Sequence, residues 1–133
     1  MREVPALAIG VGCRPGCSAD EIIALIETSI ALAGRPGHRL AGLFTSADRG
    51  REAGLIEAAR RLGCGLVGFA HARLMAEQDR LDSPSATVLR AIGVPSVAEA
   101  AALAASGPDG ILVVPKLRSA AVTCAIALME RPS

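Results

Sequence analysis

Apolar residues come in short blocks separated by glycine, proline and charge, and the blocks alternate between a strand-like and a helix-like period. Pro5 to Val11 is a brief apolar run ended by glycines, which predicts a buried strand. After a loop from Gly12 to Cys17, Ser18 opens a helix. Ser18 and Glu21 stand at capping-box spacing. Ile22, Ile23, Leu25, Ile26, Ile30 and Leu32 continue it at near-helical intervals until Gly34 and Pro36 stop it. Arg39 to Thr45 predicts a second strand, Ser46 to Arg51 a polar loop, and Glu52 to Leu62 a helix broken by Gly63-Cys64-Gly65. Leu66 to Phe69 predicts a third strand and His71 to Asp82 a weakly patterned helix. Ser83-Pro84 reads as the start of another helix, reaching close to Ile92, because proline is tolerated in a first turn.

Past the turn Gly93-Val94-Pro95, Ser96 and Glu99 form a second capping-box pair ahead of an alanine-rich helix ending at Ala105. Gly110 to Pro115 predicts a fourth strand. Val122 to Met129 fits either period, but Val122, Cys124, Ile126 and Leu128 alternate with small residues, which favours a strand. The short turn Leu117 to Ser119 makes it a hairpin partner of the fourth. Strands alternating with helices predict an α/β fold: a three-layer α/β/α domain whose mostly parallel sheet has about five strands, the last with room to run antiparallel. A single domain over residues 1–133 accounts for the length, with no internal repeat or linker.

Composition sharpens this in two ways. With 51% hydrophobic residues but only Phe44 and Phe69 as aromatics, the core must be aliphatic. A net charge of +1, without aromatic stacking residues, offers no nucleic-acid footprint. No apolar run reaches the roughly 18–20 residues of a membrane span, and there is no signal-peptide pattern. Cys13, Cys17, Cys64 and Cys124 match neither a zinc pattern nor a disulfide framework, so a reducing cytoplasm is the expected compartment.

Candidate chemistry gathers after the strands. Gly10, Gly12, Cys13, Arg14, Gly16 and Ser18 follow the first strand and open a helix. Glycines there permit close backbone approach, the helix start offers free N–H groups, and Arg14 adds a donor fork for carboxylate or phosphate. A tight turn without a ligand is the alternative. The spacing is neither a dinucleotide fingerprint nor a phosphate-binding P-loop. Cys13 and Cys17 alone make an incomplete metal site, so no metal and no cofactor is assigned. Thr45, Asp48, Arg49 and Glu52 follow the second strand, and Glu52 either complements the helix dipole or serves the site. His71 follows the third strand, where it is a candidate acid or base. His38 sits in a Gly/Pro turn. Ser83 and Ser85 either bind through hydroxyls or cap a helix. Lys116, the only lysine, ends the fourth strand, where it can pair with an anion.

Together these segments resemble one family. Gly10-Val11-Gly12-Cys13-Arg14-Pro15-Gly16 resembles its opening G-[IV]-G-C-R-x-G motif, and Glu52-Ala53-Gly54-Leu55 its E-x-G-L. Ser83 to Val88 with Gly93 to Ala101 resembles S-x-x-V followed by G-x-x-S-V-x-E-A-A. Lys116 with Val122 to Ala127 resembles the closing K and V-T-x-A-x-A. The order and spacing are those of the CobE and CbiG C-terminal domain family of cobalamin-biosynthesis proteins. The chain departs from it where Arg49, Gly50 and Arg51 replace a usual lysine, and where Cys17 replaces Thr or Ser.

The resemblance implies a precorrin or hydrogenobyrinic acid-like corrinoid as ligand and other cobalamin-pathway enzymes as partners; the sequence leaves a homodimer open. It also brings an alternative, since full-length CbiG proteins open a precorrin lactone and release a two-carbon aldehyde. Carried to this chain, that activity would use Glu52 or His71 as acid or base. A nucleotide-binding regulatory module is a third reading. It lacks the acidic ribose partner expected after a second strand.

Overall fold

The two faces of the first strand differ in side-chain size, and that difference organises the fold. The computed structural model describes residues 6–34, 39–77 and 97–129. Its elements are β1 (Leu7–Cys13), α1 (Ala19–Ala33), β2 (Leu40–Ser46), α2 (Ala53–Leu62), β3 (Leu66–Phe69), α3 (His71–Met75), α4 (Val97–Ser106), β4 (Ile111–Arg118) and β5 (Val122–Leu128). The strands form one sheet in the order β3-β2-β1-β5-β4. β1 pairs parallel with β2, and β2 with β3, while β5 runs antiparallel between β1 and β4. Thus β5 alone of the five is reversed, as the hairpin reading expects.

Successive side chains of a strand point to opposite faces. Leu7, Ile9 and Val11 of β1, Leu43 of β2 and Val122, Cys124 and Ile126 of β5 meet Ile22, Ile26 and Leu55 of α1 and α2 in one buried cluster. Burying each such aliphatic side chain contributes about 1.5–3 kcal/mol. On the other face lie Ala8, Gly10, Gly12, Ala125 and Ala127, and the alanines of α4 settle against them. The seat is close: a Cβ on Gly10 would lie 1.8 Å from the Ala98 carbonyl oxygen and 2.8 Å from the Ala102 nitrogen. Phe44 and Phe69, stacked with centroids 6.0 Å apart, close this layer on the β3 side.

Several boundaries differ from the sequence reading. β1 continues through Gly12 and Cys13, because both pair with β5, opposite Thr123 and Val122. The α2 helix begins at Ala53, with Glu52 as its flanking residue after a single 3-10 turn over Arg49–Arg51. The β4 strand runs past Pro115, so Lys116 lies inside it rather than at its end. Proline is tolerated there because β4 is a sheet edge, and the register shifts on both sides of Val114. Within that irregular stretch the Lys116 N–H donates to Glu99 Oε2 at 3.0 Å.

The first capping box is half made. Ser18 Oγ accepts the Glu21 N–H at 3.1 Å, but the Glu21 carboxylate turns to the β4–β5 hairpin, accepting the Ser119 hydroxyl and the Ala121 N–H. Those two donors, the Ser119 hydroxyl first, hold Glu21 below the usual carboxylate range. Of the helix read over His71 to Asp82, residues 71–75 form α3, Ala76 and Glu77 make a turn that ends it, and residues 78–82 lie outside the described residues. His38, the Ser83-to-Ile92 helix, the Gly93-Val94-Pro95 turn and Ser96 lie outside the described residues. No helix among the described residues is long and apolar enough to cross a membrane.

The seat of α4 makes a direct prediction. Gly10→Ala drives a methyl group into helix backbone, which cannot rotate away as a side chain would. Overpacking of this kind is expected to cost about 1–3 kcal/mol. Urea unfolding measures it, and a loss below about 0.5 kcal/mol, the scale of an indifferent surface change, would contradict the packing described.

Candidate functional site

Because β1, β2 and β3 run the same way, their carboxyl ends open on one edge of the sheet. An open cleft of about 360 Å³ lies there, lined by Gly12 and Cys13 from β1, Ser46 and Ala47-Asp48-Arg49 from the end of β2, Phe69 from the end of β3, His71 and Leu74 from α3, and Val97 from the start of α4. Gly12 is glycine for room: a Cβ there would sit 2.7 Å from Thr123 Oγ1. Asp48 and His71 are exposed on the rim, and Arg49 is half-buried. The cleft therefore combines a guanidinium, a carboxylate, an imidazole and a hydroxyl with one aromatic surface.

The β1–α1 loop borders this cleft and is tied down at several points. The Arg14 N–H donates to the Ala121 carbonyl at 2.9 Å, and the Cys17 N–H to the Arg14 carbonyl at 3.2 Å. The Gly16 N–H donates to Glu52 Oε1 at 2.7 Å, across 36 residues of sequence. Gly16 has φ +80°, a left-handed conformation suited to glycine. At the helix start that the sequence offers as an anion site, two donors are thus already satisfied from within the chain: that of Gly16 by Glu52 and that of Glu21 by Ser18. Arg14 itself is exposed.

Cys13 reaches the cleft as a neutral thiol. Burial first, then the hydrogen bond and charge of Cys17, then the Glu52 carboxylate push it up to about 12, and Arg49 opposes them. Nucleophilic attack and metal ligation both need the thiolate, which this setting disfavours. Among the described residues, no group of three or more His, Cys, Asp or Glu side chains is placed to hold a metal ion.

Of the sequence candidates, Gly12, Cys13, Asp48, Arg49 and His71 come together at the cleft. Gly10 lies beneath α4, Ser18 caps α1, and Thr45 is fully buried. Glu52 holds the β1–α1 loop, and Lys116 has its amide bound to Glu99. Ser83 and Ser85 lie outside the described residues. Phe69, Leu74 and Val97 are additional lining residues that the sequence reading passed over, and of the loop hydroxyls it did single out, Ser46 lines the cleft while Thr45 does not. Strand alternation holds the signal that selects Ser46 over Thr45. Leu43 faces α1 and α2, so Thr45 must share that face, while Ser46 goes with Phe44 toward α4.

Residues 7–127 match the family described as "Cobalamin synthesis G C-terminus". A CobE protein from Sinorhizobium sp. is 38% identical over 123 residues, spanning 91% of this chain and 79% of that protein. A cobalt-precorrin-5A hydrolase from Priestia megaterium is 35% identical over 123 residues, which are 92% of this chain but 32% of the hydrolase. The crystal structure of CobE, a protein from the cobalamin (vitamin B12) biosynthetic pathway, matches with a TM-score of 0.79 at 35% identity, covering 98% of this chain and 96% of that one.

The state of Cys13 is open to measurement. Iodoacetamide labelling at pH 8, read at each cysteine by mass spectrometry, should modify Cys13 at least about tenfold more slowly than a free cysteine. Its rate should keep rising well above pH 9. Labelling at the rate of a free thiol would contradict the environment described.

Proposed function

The chain belongs to the CobE and CbiG C-terminal family of cobalamin-biosynthesis proteins, and from that membership we propose that it binds a corrin-ring intermediate at the carboxyl edge of its sheet. Such intermediates are broad, flat and rimmed with acetate and propionate groups. The observation that carries the reading is the cleft itself, open, with Arg49 in its wall, at the edge where parallel α/β sheets take their ligands. At about 360 Å³ it suits one carboxylate-bearing edge of a macrocycle. The ring would extend across the exposed Arg14-Pro15-Gly16 loop.

In this proposal each group has a definite task. Arg49 and Arg14 donate paired N–H groups to rim carboxylates, the geometry for which guanidinium is best suited. Gly12 lets the ligand approach the strand backbone. Phe69 supplies apolar contact, and Asp48 disfavours a carboxylate at its own end of the cleft. Binding alone would suit a protein that receives an unstable intermediate from one pathway enzyme and passes it to another. Bound as tightly in its ground state as in a transition state, the ligand gains no rate.

A second reading is favoured by His71 on the cleft rim and by the hydrolase relative. There, the imidazole would take a proton from water attacking a precorrin lactone carbonyl and return it to the ring oxygen as the acyl C–O bond breaks. This chain spans about a third of that hydrolase.

Visible-spectrum titration of the protein with hydrogenobyrinic acid and earlier precorrins tests both readings. A saturating spectral shift is expected, weakened about tenfold or more in Arg49→Ala and in Arg14→Ala, the loss expected for a charge-assisted pair. Release of a two-carbon aldehyde, abolished in His71→Ala, would establish the second reading. Failure to bind any intermediate would overturn the first.

A further inference from the structure

We infer that Glu52 is a positioning residue of this site, setting the distance between the two arginine-bearing loops rather than acting as an acid or base on the ligand. This deepens the corrinoid-binding reading and rests on it only for the ligand's identity.

Glu52 joins both loops at once. Its Oε1 accepts the Gly16 N–H at 2.7 Å, which fixes the backbone two residues beyond Arg14. Its own N–H donates to the Arg49 carbonyl at 2.9 Å, and its carbonyl accepts the Ile56 N–H at 3.0 Å. One residue therefore ties the Arg14 loop, the turn carrying Arg49 and the first turn of α2 together. Gly54 reinforces the tie independently. A Cβ at that position would lie 2.2 Å from the Cys17 carbonyl oxygen, so the start of α2 seats directly on the loop. The Cys13 thiol senses both Glu52 and Arg49, as expected where the two loops converge. By contrast, Glu52 does not line the cleft. Its Oε1 is engaged by an amide proton too weakly acidic to be exchanged in a catalytic step. What it can do is hold two guanidinium groups at a fixed spacing, and a rim of carboxylates discriminates by such spacing.

Two conservative variants separate position from charge. Glu52→Gln keeps the length and an oxygen acceptor but loses the charge. Glu52→Asp keeps the charge but is one methylene too short to reach Gly16. Amide hydrogen exchange at Gly16 in the ligand-free protein, together with corrinoid titration, reads both consequences. Exchange at Gly16 should stay within about threefold of wild type in Glu52→Gln and rise about tenfold or more in Glu52→Asp. Corrinoid Kd should follow the same order. Tighter binding by Glu52→Asp than by Glu52→Gln would overturn the inference, since the carboxylate charge itself would then be acting on the ligand. So would unchanged Gly16 exchange in Glu52→Asp. Should wild type bind no corrinoid, the functional reading fails, while Gly16 exchange still decides whether Glu52 clamps the loop.

Discussion

Everything at the functional edge depends on how closely α4 approaches the centre of the sheet. A helix and a sheet carrying ordinary aliphatic side chains are held apart by them. Here Gly10 has no side chain at all, its neighbours on that face are Ala8, Gly12, Ala125 and Ala127, and α4 answers with alanines. Each contact is small, but many atoms sit at van der Waals distance, and dispersion accumulates with their number. The opposite face follows the usual rule, with large aliphatic residues under α1 and α2. The sheet is thus packed asymmetrically, and the tight side forms the wall of the cleft through Val97.

That asymmetry explains why one glycine motif serves two purposes. Gly10 and Gly12 point to the same face, two residues apart. Gly10 takes the helix backbone, and Gly12 opens beside Thr123 at the cleft. Beyond them the loop turns through Gly16 and is fastened by Glu52. A carboxylate from within the chain therefore occupies a donor otherwise open to a ligand carboxylate, and in the proposed site recognition falls to the side chains of Arg14 and Arg49. The thiol of Cys13, held neutral between these groups, adds bulk and polarisability rather than reactivity.

Much of this was legible in the sequence because local signals and the global fold agree. The strand-and-helix alternation, the Ser18 cap and the small-residue alternation in Val122 to Leu128 each specify their element, and each is found. The convergence of loops after three parallel strands followed from topology alone. What escaped was contact between segments distant in sequence. Gly10 looks the same whether it faces a ligand or a helix, and only the partner at Ala98 decides. Glu21 and Glu99 carry capping-box spacing, yet the Glu21 carboxylate is drawn to the β4–β5 turn and Glu99 Oε2 to the Lys116 amide. Pro115 reads as a strand end until its edge position is known.

The central claim is that the ligand enters at the carboxyl edge, between the Arg14 and Arg49 loops. The measurement that tests it most directly is a map of amide chemical-shift changes as ¹⁵N-labelled protein is titrated with hydrogenobyrinic acid. The account predicts that the largest changes gather at Gly12, Cys13, Gly16, Ala47 to Arg49 and His71, with the outer face of α1 and α2 unmoved. Changes centred on that outer face, or on the exposed end of β4 at Ile111, would contradict it.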